Sequence, residues 1–101
     1  MTTRYLVLAM RRPEFDASVV APHLAFLDQL RDNGQLEMTG GFSDGSGGAY
    51  ILVNIDNLAQ AEAIVAQDPL ALQNASDLTV HEWSTRDSSS RDSSTRDGGV
   101  R

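Results

Sequence analysis

Tyr5-Leu6-Val7-Leu8-Ala9-Met10 is an unbroken apolar run of six residues, closed by Arg11-Arg12-Pro13. It is too short for a helix and suits a buried β-strand. The strand period of two sends Tyr5, Val7 and Ala9 to one face and Leu6, Leu8 and Met10 to the other. Both faces are apolar, so both need cover, whereas a sheet wetted on one side alternates.

Downstream, Val20, Leu24, Leu27 and Leu30 recur at helical spacing and form one apolar stripe. Ser18 is the expected N-cap, Pro22 fits the first turn, and Asn33-Gly34 is a stop signal. Leu36–Gly40 alternates as a second strand. The turn-forming stretch Ser43–Gly48 joins it to Ala49–Ile55, a third strand that is again apolar at nearly every position. Asn57 and Gln60 form a capping-box pair ahead of Ala61, Ile64 and Val65. Asp68-Pro69 starts a further short helical turn, and Asp77–Trp83 alternates as a fourth strand.

The order β-α-β-β-α-β specifies an α+β, ferredoxin-like fold: a four-stranded antiparallel sheet with its helices on one face. Two helices cover one face only. The two-sided strands therefore predict a homodimer through the open sheet face, because monomers seldom expose large apolar patches.

Residues 1–83 make up the folded domain. From Ser84 onward Val100 is the sole apolar residue, and Thr/Ser-Arg-Asp units recur with a period of five. Such a segment has no apolar surface to offset the entropy of ordering, so disorder is expected over 84–101. Residues 1–83 hold four Arg and eleven Asp or Glu, a net of −7; the tail holds four Arg and three Asp, a net of +1. An acidic domain argues against nucleic-acid binding, which draws its affinity from cations displacing counterions. No apolar run approaches the roughly 20 residues of a membrane span. The absence of a signal-peptide pattern makes the cytoplasm the default.

The chemistry is narrowed by composition. The chain has no Cys and all eight cations are Arg, so thiolate and Schiff-base mechanisms are excluded. Two His without Cys make no zinc set, and no phosphate or dinucleotide motif is present; neither metal nor cofactor is expected.

His23 lies three residues after Val20 and four before Leu27, on the inward stripe of the first helix. It is also in the opening turns, where the positive end of the helix dipole favours an uncharged ring. A neutral imidazole in an apolar cleft is a candidate general base. The same placement also suits a core-edge histidine satisfied by one backbone carbonyl. Asp68 before Pro69 is a helix cap, and its spare acceptor positions can also receive an imidazole N–H. Gly40-Gly41 and the following turn can present N–H groups to an anion, or simply form a flexible hairpin. Asp44 reads as an Asx-turn former and a candidate ligand contact. His81 and Trp83 share one strand face, and Arg11 and Arg12 are either solvated or available to a carboxylate at a pocket mouth.

Taken in order, these pieces resemble the YciI-like (YCII-related) family of the dimeric α/β-barrel superfamily. They are Pro22-His23-Leu24, Gly34-x-Leu36, Gly40, the turn Asp44-Gly45-Ser46-Gly47-Gly48, Ala61-Glu62-Ala63, Asp68-Pro69 and Val80-x-x-Trp83. The resemblance covers residues 4–83. It implies a homodimer with sheets face to face and a cleft centred on a histidine and an aspartate, here His23 and Asp68. It also implies a small-molecule ligand, since members with assigned chemistry act on small ring compounds. One branch resembles dehydrochlorinases of chlorinated hydroxyhydroquinones, with muconolactone isomerases as structural cousins. This chain departs in having Val20 where many members carry Arg, Gly40-Gly41 for Gly-Pro, and Leu70 after Asp68-Pro69.

The reading supports a cofactor-free lyase or isomerase with His23 and Asp68 as catalytic pair and Gly40, Gly41 and Asp44 as substrate contacts. The alternative is a non-catalytic ligand-binding or accessory module.

Overall fold

A computed structural model describes residues 1–86. Its elements are β1 (Thr2–Arg11), a 3₁₀ turn (Ala17–Val19), α1 (Val20–Asp32), β2 (Leu36–Gly41), β3 (Gly47–Leu52), α2 (Leu58–Val65), α3 (Pro69–Leu72) and β4 (Ser76–Thr85). The strands form one antiparallel sheet in the order β2-β3-β1-β4. This is the ferredoxin-like α+β arrangement, with the apolar β1 and β3 at its centre.

The two faces of β1 diverge as its sequence requires. Tyr5, Val7 and Ala9 are buried, together with Tyr50 and Leu52 of β3. Against them pack Leu27 and Leu30 of α1 and Ala61 and Val65 of α2. Each of the leucines and valines so buried contributes about 1.5–3 kcal/mol, and the Ala61 methyl less. Leu6 and Leu8 are half-buried, and Met10 is exposed, on the opposite face. There Leu6 stands across from Ile51 and His81, and Leu8 from Ala49 and Thr79.

Several element ends differ from the sequence expectation. The first helix is entered through the 3₁₀ turn, so the cap lies upstream of Ser18: Asp16 Oδ1 accepts the Ser18 N–H at 2.8 Å. Asn57 caps α2 by accepting the Gln60 N–H, while Gln60 returns its bond to Asp56, one residue before the reciprocal position. β3 starts earlier, at Gly47, and ends at Leu52. Asn54 (φ 58°) then turns the chain through the left-handed region, its side-chain amide donating to the Gly34 carbonyl.

Gly47 has a φ of 155°, and a Cβ there would lie 2.1 Å from the Ala9 carbonyl oxygen. Only glycine allows β3 to approach β1 this closely. In β2 the register slips between Leu36 and Met38: Leu36 opposes Leu52 and Met38 opposes Ile51, leaving Glu37 as the extra residue of a bulge. β4 continues past Trp83 to Thr85. The disorder expected for the tail from residue 87 onward lies outside the described residues. Among those described, no helix is long and apolar enough to cross a membrane.

Candidate functional site

Asp68 is the point from which the site is built. The chain leaves α2, and the Asp68 N–H donates to the Val65 carbonyl at 3.0 Å. Asp68 then caps α3, with Pro69 at the first helical position. Its side chain has 0% exposure. A buried carboxylate is costly unless donors replace its water, and three do. Leu70 N–H (2.9 Å) and His23 Nδ1 (2.8 Å) reach Oδ1, and the Tyr50 hydroxyl donates to Oδ2 at 2.8 Å.

This network sets the histidine tautomer. A carboxylate only accepts, so the proton between Asp68 and His23 resides on Nδ1. Nε2 is left as the basic nitrogen, on a ring whose orientation the carboxylate holds. α1 supplies His23 from its first turns, and the side chain is largely but not wholly buried.

Tyr50, in the middle of β3, completes the triplet. Burial, followed by the charge of Asp68 and the hydrogen bond to it, pushes the phenol far above its ordinary range. Tyr50 therefore remains a proton donor to Asp68 through the neutral range. Its ring is tilted 51° to that of His23 with centroids 6.1 Å apart. In the sequence Tyr50 is one member of the apolar third strand, with no motif that marks it. The available signal was a polar-tipped residue in phase with Leu52, since a phenol buried in a core needs an acceptor.

These groups border a cavity of about 240 Å³. Val20, Leu24 and Leu27 of α1 form its wall and Leu70 closes one side. Ala9, Thr39, Gly40, Gly41, Gly48 and Tyr50 contribute sheet surface. The small residues leave space above the sheet. Gly40 and Gly41 thus lie in the same cavity as His23.

Asp44 does not line it. Its Oδ1 accepts the Ser46 N–H at 2.9 Å in an Asx turn, and this bond holds its carboxyl below the usual carboxylate range. His81 is on the other sheet face, 3.2 Å from the Thr79 hydroxyl. Trp83 borders a shallow depression on that face with Arg4, Glu37, Met38 and Ile51.

The two arginines at the end of β1, Arg11 within it and Arg12 just beyond, separate. Arg12 binds Asp77 at 2.8 Å and lies 3.3 Å from Glu14; the Asp77 contact raises its pKa further. Arg11 instead lines the cavity, its guanidinium 4.1 Å from the centre of the Phe15 ring. No three metal-capable side chains converge among the described residues.

Known proteins share this framework. The chain is 43% identical over 82 residues to uncharacterized protein YjpA of Bacillus subtilis (strain 168), covering 81% of this chain and 95% of that one. A solved structure, 5-chloro-2-hydroxyhydroquinone dehydrochlorinase (TftG) from Burkholderia phenoliruptrix AC1100 in complex with 2,5-dihydroxybenzoquinone, superposes with a TM-score of 0.62. At 18% identity, and covering 80% of this chain and 93% of that one, it shares the fold. The YCII-related domain profile matches residues 3–84, from the start of β1 almost to the end of β4, and the chain belongs to that family.

Proposed function

We propose that the protein is a cofactor-free acid–base catalyst, a lyase or isomerase, acting on a small cyclic organic molecule held in the His23 cavity. The observation that carries this reading is the buried Asp68 carboxylate binding both His23 Nδ1 and the Tyr50 hydroxyl beside that cavity. His23 Nε2 takes a proton from a C–H or O–H activated by a neighbouring carbonyl. In an isomerisation the proton returns to another ring position; in an elimination an anion departs as the double bond forms. Asp68 orients the ring and stabilises the imidazolium between the steps. β2 is an edge strand, and the Phe42 N–H bonds Gly47, so by alternation the Gly40 N–H belongs to the ladder and the Gly41 N–H is the one left to steady developing oxyanion charge. The dehydrochlorinase with the same fold supports a ring compound as ligand.

The same reading includes a second copy of the chain on the open sheet face, where Leu6, Leu8, Met10, Met38, Ile51 and Trp83 lie. Sheet-to-sheet pairing would shield these side chains from water.

The catalytic reading is tested by deuterium exchange. The full-length protein is incubated in D2O with 2,5-dihydroxybenzoquinone and other small ring compounds bearing acidic C–H groups, and loss of the C–H proton signals is followed. Wild type should accelerate exchange for at least one compound, and His23→Asn should not, with an unchanged circular dichroism spectrum. Equal rates for the two proteins would remove His23 as the base.

A further inference from the structure

Arg11 and Ser76 are cross-strand partners at the end of the β1–β4 ladder, and both line the His23 cavity. Partners in a strand pair present their side chains to the same sheet face. Two residues further along β1 and β4, Ala9 pairs with Leu78 on the helix-covered face. Arg11 and Ser76 follow in phase, so a guanidinium and a hydroxyl share one end of the pocket.

Neither group is used by the His23–Asp68–Tyr50 network. Ser76 is 6% exposed and lines the cavity, and its hydroxyl makes no hydrogen bond among the described residues. A hydroxyl that opens onto a cavity is a donor free to meet a ligand acceptor. Arg11 makes no ion pair among the described residues, in contrast to its neighbour Arg12. Stacking on Phe15 holds the guanidinium at the rim, with its donors still available for a carboxylate or phenolate.

The charge balance gives this cation a purpose. Residues 1–83 sum to −7, so the domain as a whole repels anions. That repulsion is screened beyond roughly 8–10 Å at physiological salt, and the nearest charge then decides what the pocket admits. Among the described residues that line this pocket Arg11 alone is a fixed charge, Asp68 being screened behind His23 and Tyr50, and the remaining wall is largely apolar.

We infer that the ligand is a planar ring anion, its carboxylate or phenolate bound by Arg11 and Ser76 and its ring lying over the small residues of the sheet. This rests on the proposed ring-compound reading and extends it by assigning the charge of the ligand and the residues that select it.

The test is direct binding to the full-length protein, using benzoate and its neutral isostere benzamide, followed by calorimetry and amide chemical shifts. Wild type should bind benzoate more tightly than benzamide. A charge-assisted bidentate contact is worth about tenfold or more in affinity, so Arg11→Gln should weaken benzoate about tenfold and leave benzamide unchanged. Arg11→Lys should recover part of the loss, and Ser76→Ala should weaken benzoate severalfold. The inference is overturned if Arg11→Gln leaves benzoate binding within twofold, if benzamide binds as well as benzoate, or if neither binds at millimolar concentration. Because His23→Asn should keep the benzoate preference, failure of the catalytic reading and failure of this one give different results.

Discussion

Tyr50 and His23 bind different oxygens of one fully buried carboxylate, each at 2.8 Å, so the central strand and the first helix are joined through Asp68. The contact ties the site to the fold. A side chain that orients the histidine is also what satisfies a phenol in the core, and changes to it should register in both stability and chemistry.

Asp68→Ala should therefore be among the most damaging single changes. It strands the Tyr50 hydroxyl, the Leu70 N–H and the His23 Nδ1–H together. Removing one side of a buried charged network costs about 3–5 kcal/mol. Urea unfolding of the variant should show that loss, and a change within about 1 kcal/mol would contradict the network described.

Tyr50→Phe removes a single donor to a charged acceptor and should cost about 1.5–3 kcal/mol. Its alkaline behaviour is equally specific. Burial raises the Tyr50 phenol, and burial followed by Glu82 raises Tyr5, the other tyrosine of the chain. An unfolded tyrosine ionises near pH 10. Above that value the unfolded chain has lost protons that the native chain retains. The tyrosine contribution is thus fully present below about pH 10 and declines as pH rises further. Phenolate absorbance should appear together with unfolding, and Tyr50→Phe should flatten the stability decline above pH 10.

Glycine substitutions should separate sharply by position. Gly47→Ala places a methyl against the Ala9 carbonyl at a φ of 155°, and should cost more than about 2 kcal/mol. A Cβ on Gly40 meets nothing within 4 Å, so Gly40→Ala should leave the unfolding midpoint nearly unchanged. Equal effects of the two would refute the close β1–β3 approach at that end of the ladder.

Leu8→Asp puts a charge in the middle of the open sheet face, opposite Ala49 and Thr79. If a second copy covers that face, wild type should sediment as a dimer at micromolar concentration and the variant as a single chain. A wild-type protein that is already monomeric would remove the dimer from the proposal.

Much of this architecture was legible in residues 5–10, because a strand greasy on both sides had to be central. His23 was visible through helical phase, and Asp68 through its proline. Both observations are local. Tyr50 was not visible, since a tyrosine among apolar strand residues looks like packing until its hydroxyl is required to find an acceptor. The Asp16 cap is not visible in the sequence, because nothing nearby signals a 3₁₀ turn before the helix. Asp44 is a carboxylate near the glycines in sequence, but its own turn engages it through the Ser46 N–H. The divergence of Arg11 from Arg12 depends on which sheet face each reaches, and two adjacent arginines do not announce that.

The extra residue at Glu37 has an effect that reaches well beyond its own turn of strand. Continued without it, the pairing that begins at Leu36 and Leu52 would set Met38 opposite Tyr50 and aim its thioether chain at the helices. The bulge reverses the sequel, sending Met38 out to 64% exposure and bringing Thr39 opposite Tyr50. One unpaired residue on the edge strand thus keeps a flexible plug out of the hollow beside the histidine.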